Sequence, residues 1–134
     1  MTREEFLLDT LEYYSQDPSR RCFHTETRIC YYSPVNADNP NSEGCAIGRW
    51  LSPDLQLKLD NESYPGINTD DVFEQLPDNL QQLGQSFLSS VQSLHDGNSW
   101  CQGGVINSNI YNLKRIIQNY ELDYKKFEKY IIND

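Results

Sequence analysis

An apolar stripe beginning after Asp78 constrains this chain more than any other feature. Leu80, Leu83, Phe87, Val91 and Leu94 follow one another at spacings of three and four residues. Side chains at that spacing stack along one side of a helix, so the segment reads as one helix turned towards a core. Gly97 stands where such a helix ends. A second stripe, Ile110, Leu113, Ile117 and Tyr120, opens after Ser108. A third lies at the N-terminus. There Thr2 and Glu5 have capping-box spacing, and Leu7, Leu8, Leu11 and Tyr14 give residues 3–15 an apolar face. The three stripes are expected to bury one another.

The segments between them are shorter and more polar. Arg20 to Tyr32 is rich in Thr, Ile, Phe and Tyr and favours strand, with a turn near Glu26-Thr27 folding it into a hairpin. Ser33 to Gly44 is a long polar loop. Ser52-Pro53-Asp54 reads as a helix start, although Leu55, Leu57 and Leu59 alternate as a strand would. A short helix is the expectation. Asp60 to Thr69 and Asn98 to Ser108 read as loops, and Asp70 to Leu76 as a short helix entered through Thr69. Glu121-Leu122-Asp123 separates the second stripe from a last helix carrying Tyr124, Phe127 and Ile131. The sum is one domain over residues 1–134: a mostly helical α+β fold, with five or six helices around a small antiparallel element near residues 21–33.

Charge narrows the partners. The chain carries net charge −9, and a field of that sign repels nucleic acid and anionic membrane surfaces. The late cluster Lys114, Arg115, Lys125, Lys126 and Lys129 reads as a solvated helix face. No apolar run reaches the roughly 18–20 residues of a membrane span. Glu4, Glu5 and Asp9 among the first leucines argue against a signal peptide. The four cysteines, Cys22, Cys30, Cys45 and Cys101, are therefore expected as reduced thiols in a cytoplasm.

The stretch Glu43 to Leu51 is where a site is expected. It reads as a hairpin feeding a helix with Cys45 at the entrance, where free N–H groups and a partial positive charge lower a thiol's pKa. With His95 as base, Cys45 has the parts of a cysteine nucleophile. A neighbouring side chain on a helix points about 100° away, so a residue other than Asp96 is expected to orient His95. A metal is the next reading: Cys22, His24, Cys30 and Cys45 are zinc-ligand types, with Cys101 and His95 as spares. Their spacing lacks the tight pairs of ordinary zinc sites, so neither metal nor cofactor is expected. The third reading is a ligand pocket. Aromatic and amide side chains gather in the loops, among them Tyr31, Tyr32, Tyr64, Asn68 and Trp100, and Arg49 stands ready for a phosphate or carboxylate.

Taken in order, Cys30-Tyr31-Tyr32, Gly44-Cys45-Ala46-Ile47-Gly48, Ser52-Pro53-Asp54 and Leu94-His95-Asp96 resemble motifs of small proteins from tailed-phage genomes. The resemblance spans roughly residues 20 to 120. It implies a phage or prophage origin and a host-cytoplasm setting, and it assigns no catalytic residue. The expected role is an accessory protein that binds a small molecule, such as a nucleotide-like host signal, or a host protein, without catalysis. Tyr31, Tyr32, Arg49 and Trp100 are the expected ligand contacts. A Cys45–His95 enzyme and a structural zinc domain are the alternatives.

Overall fold

The computed structural model describes residues 1–27, 29–62, 67 and 69–132. The elements are α1 (Arg3–Gln16), α2 (Pro53–Glu62), α3 (Asp70–Phe73), α4 (Asp78–Gln81), α5 (Gln85–Asp96), β1 (Trp100–Cys101), β2 (Gly104–Val105), α6 (Ser108–Asn119) and α7 (Tyr124–Phe127). Short 3-10 turns lie at Pro18–Arg20, Gly48–Trp50 and Glu128–Tyr130. The architecture is α+β and mostly helical, with a two-stranded antiparallel hairpin.

Local chemistry explains most of the boundaries. Both arms of the α1 capping box form: the Glu5 N–H donates to Thr2 Oγ1 at 3.1 Å, and the Thr2 N–H to Glu5 Oε1 at 2.9 Å. The stripe after Asp78 is broken rather than continuous. Gly84 adopts φ +93, a conformation that suits glycine, and it separates α4 from α5. The break deprives the Leu83 carbonyl of a helical partner, and Arg3 Nε supplies one at 2.8 Å. In α2 the alternating leucines resolve as a helix: Leu59 is fully buried while Leu57 stays exposed. The Leu55 N–H donates to Ser52 Oγ at 3.2 Å, capping that helix as its sequence suggests.

The β element is displaced from its expected place. Among the described residues around 21–33, only an antiparallel bridge between Phe23 and Cys30 forms. Beyond it, Asp60 takes the N–H groups of Tyr32 and Ser33, at 2.7 and 3.0 Å. Those donors are lost to strand pairing, which is why the hairpin stops. The paired strands are β1 and β2, inside the stretch that composition marks as loop. Gly103, at φ +99, makes their tight turn, and its N–H donates to the Ser15 carbonyl at 2.8 Å, fixing the hairpin to α1. The N–H of Ile132 donates to the Val105 carbonyl at 3.1 Å and brings the last described residues alongside.

The three stripes meet as expected. Phe6, Leu7, Leu11 and Tyr14 of α1, Phe87, Leu88, Val91 and Leu94 of α5, and Leu113, Ile116 and Ile117 of α6 share one core with Trp100 and Val105. This core holds both the 43–50 turn and His95 in place.

Candidate functional site

The Gly44–Gly48 segment is a tight turn leading into a 3-10 helix, and α2 begins only at Pro53. Cys45 therefore does not open an α-helix, and no aligned stack of peptide dipoles points at its sulfur. The glycines were a packing signal. A Cβ on Gly44 would lie 2.6 Å from the Tyr32 carbonyl oxygen, and one on Gly48 would come to 2.9 Å of Tyr32 Cα. Side chains pin the turn from outside. Tyr14 Oη donates to the Gly44 carbonyl at 2.8 Å, and Gln56 Nε2 to those of Gly48 and Glu43 at 2.7 and 3.0 Å. Cys45 is 2% exposed. Burial pushes its thiol pKa well up, against the lesser pull of the Gly48 N–H, which donates to Sγ at 3.2 Å.

His95 is equally committed. The Cys22 N–H donates to Nε2 at 3.1 Å, so that nitrogen carries a lone pair and the neutral ring holds its proton on Nδ1. Nδ1 lies 2.8 Å from Asp96 Oδ1. Asp96 orients the ring after all, contrary to the helical-geometry expectation, because it is the last residue of α5 and its side chain turns back. Gln92 Nε2 donates to the same carboxylate oxygen at 2.8 Å. Burial works to raise the Asp96 pKa, but the hydrogen bonds from His95, Cys30 and Gln92 outweigh it and hold the carboxyl below its ordinary range. Burial and the Asp96 carboxylate push the Cys30 thiol up to about 12.

Among the described residues, Cys30, His95 and Asp96 bring donor atoms within 4.8 Å of one another. These are not the four ligands read from spacing. His24 lies with Asp38, Nε2 to Oδ2 at 3.4 Å, and its Nδ1 accepts the Glu26 N–H at 3.2 Å. In the observed triad, an ion at either imidazole nitrogen would have to displace the Cys22 N–H or the bond to Asp96. The cluster is a satisfied polar network. It holds the backbone at Cys22 to the end of α5.

The four expected ligand contacts have separate fates. Trp100 is 8% exposed, packs its ring edge-on to Tyr14 at 5.8 Å and donates Nε1–H to the Leu94 carbonyl at 3.0 Å. Tyr32 is buried beneath the 44–48 turn, and Tyr31 packs partly buried against the core. Tyr64 and Asn68 lie outside the described residues. Arg49 has open hydrogen-bonding capacity. Its Nη2 meets Asp9 Oδ1 at 2.6 Å, while Nη1 is buried without a partner. Its Cζ lies 4.3 Å from the Tyr13 ring centroid and 4.9 Å from that of Trp50. Trp50 Nε1 is also buried without a partner. Buried donors are nearly always satisfied, so two orphans on adjacent residues mark this box.

No protein-family model, curated protein or solved structure matches this chain. Its chemistry is therefore read from its own side chains. Asp9, Tyr13 and Trp50 escaped the sequence reading because each reads as an ordinary helix or core residue. The available signal was the adjacent Arg49-Trp50 pair, a cation beside an aromatic ring, facing the side of α1 that presents Asp9 and Tyr13 one turn apart.

Chemical labelling tests the thiol assignment. All four cysteines are free, Cys22 and Cys45 buried and Cys30 and Cys101 half-buried. Iodoacetamide at neutral pH is expected to modify Cys101 first and Cys45 only after unfolding, as read by mass spectrometry. A Cys45 adduct forming as fast as that of Cys101 would restore the nucleophile.

Proposed function

We propose that the protein is a non-catalytic binding protein for a small molecule whose acceptor group docks on Arg49 and Trp50. The observation that carries this reading is the pair of buried donors, Arg49 Nη1 and Trp50 Nε1, without an acceptor. Leaving a buried donor unmade costs about 1–3 kcal/mol, so an acceptor delivered there binds with that penalty relieved. The rings of Tyr13 and Trp50 supply apolar surface beside the donors. The rival Cys45 enzyme is disfavoured by the sealed thiol and by a His95 whose two nitrogens are already engaged. The resemblance to tailed-phage proteins supports an accessory role in a host cytoplasm, with a nucleotide-like host metabolite as the ligand class to try first.

The test is a thermal-shift screen of nucleotides, nucleosides and cyclic nucleotides on the wild type and on Trp50→Phe. Trp50→Phe keeps a ring and deletes the N–H. A ligand at about 100 times its Kd stabilises the native state by about 2.7 kcal/mol, a shift of several degrees for a domain of this size. The shift is expected to shrink in Trp50→Phe while the unliganded Tm stays close to that of the wild type. If no compound moves the wild type, or Trp50→Phe responds equally, the small-molecule reading falls. A host-protein partner then takes its place, with the hollow of about 340 Å³ lined by Pro34, Val35 and Pro40 as its surface, where Val35 is 76% exposed.

A further inference from the structure

We infer that Asp9 is a resident stand-in for an oxyanion, and that the ligand group displacing it is a carboxylate or phosphoryl group spanning both terminal nitrogens of Arg49. This deepens the small-molecule reading and rests on it. A guanidinium presents parallel N–H bonds that match two oxygens of one carboxylate or phosphate. Asp9 uses half of that fork. Its Oδ1 lies 2.6 Å from Nη2, while Nη1 is buried with no partner. The Arg49 side chain is only 10% exposed, so water does not complete the fork from outside.

The surroundings fix the guanidinium and leave Asp9 free to move. Tyr13 and Trp50 lie near its faces, with ring centroids at 4.3 and 4.9 Å. Tyr13 is itself held, since its hydroxyl accepts the Glu43 N–H at 3.2 Å. The fork therefore cannot rotate to find another acceptor. Asp9 is on α1 with its side chain 41% exposed, and it can swing into water without disturbing the helix. Trp50 Nε1, the neighbouring orphan, offers a further donor to an oxygen arriving in its place. The net charge of −9 opposes any anion, and Asp9 adds to that locally. Displacement removes its carboxylate from the fork as the ligand arrives.

The experiment titrates sodium acetate, inorganic phosphate and chloride into folded protein at constant ionic strength. Binding is read from Trp50 emission in a Trp100→Phe background and checked by calorimetry. Asp9→Asn is expected to tighten the Kd for acetate or phosphate by about tenfold or more. The arm showing the gain assigns the ligand's carboxylate or phosphoryl character. Chloride, a single atom, gains no comparable affinity. Glu12→Gln, which removes a charge elsewhere on α1, changes Kd by no more than about twofold under screening. Adding Arg49→Lys to Asp9→Asn keeps the charge, removes the fork and is expected to erase the gain. The inference is overturned if Asp9→Asn behaves like Glu12→Gln, or if the gain survives Arg49→Lys. Circular dichroism verifies folding, and Asp9→Ser repeats the titration should Asp9→Asn not fold. A screened ligand that needs the Trp50 N–H, alongside an unchanged anion affinity in Asp9→Asn, keeps the binding reading and sinks the displacement alone.

Discussion

Phe87→Ala is expected to destabilise the protein by about 3–5 kcal/mol, read as a fall in the urea midpoint at unchanged m-value. Phe87 is fully buried at the meeting of three elements. Its ring stands edge-on to Phe6 of α1 at 6.2 Å and to Tyr120, just beyond α6, at 5.1 Å. Arg3 lies over it, with Cζ 5.7 Å from the centroid. Removing the ring loses its transfer free energy and leaves a cavity whose walls belong to different helices. Those walls collapse poorly because Arg3 is fixed by its bond to the Leu83 carbonyl. A loss below about 1 kcal/mol would show that α1, α5 and α6 do not meet at this ring, and would sink the packing arrangement.

The helical stripes were legible because burial enforces their period. Leu80, Phe87, Val91 and Leu94 are all buried as their spacing demands, even though Gly84 divides the helix that carries them. The division was not legible, because a glycine inside an apolar stripe costs a helix only about 1 kcal/mol and often sits there unnoticed. The true hairpin was hidden for a different reason. Two-residue strands carry no period, and Gln102-Gly103 looks like any loop glycine until the Ser15 carbonyl is seen to hold it. Arg20 to Tyr32 has strand composition, but Asp60, distant in sequence, takes the donors that a ladder would need.

At the candidate site, Arg49 was legible as a cation near a turn. Asp9 and Trp50 were not, because their importance lies in which hydrogen bonds are unmade. Cys45 and His95 stood out as chemistry-bearing residue types, and the structure gives both of them structural partners.

Gly48→Ala is expected to cost about 3 kcal/mol or more, above the ordinary 1–3 kcal/mol for an overpacked methyl, because the obstruction is backbone. The added Cβ would lie 2.9 Å from Tyr32 Cα and closer still to the Tyr32 carbonyl oxygen. A side chain in that position would rotate away. The Tyr32 backbone cannot, since Asp60 holds its N–H at 2.7 Å and that of Ser33 at 3.0 Å. The turn cannot retreat either, with Gln56 on the Gly48 carbonyl and Tyr14 on that of Gly44. The strain should therefore appear as separation of the 44–48 turn from residues 30–32, exposing Cys45, and Cys45 labelling by iodoacetamide should accelerate in step with the loss of stability. Cys30-Tyr31-Tyr32 and Gly44-Cys45-Ala46-Ile47-Gly48 are thus the two sides of one backbone contact, so the glycine pattern of the turn follows from packing without any chemistry at the cysteine. A Gly48→Ala protein within about 1 kcal/mol of wild type, with Cys45 still shielded, would break that explanation and return the motif to the search for a site.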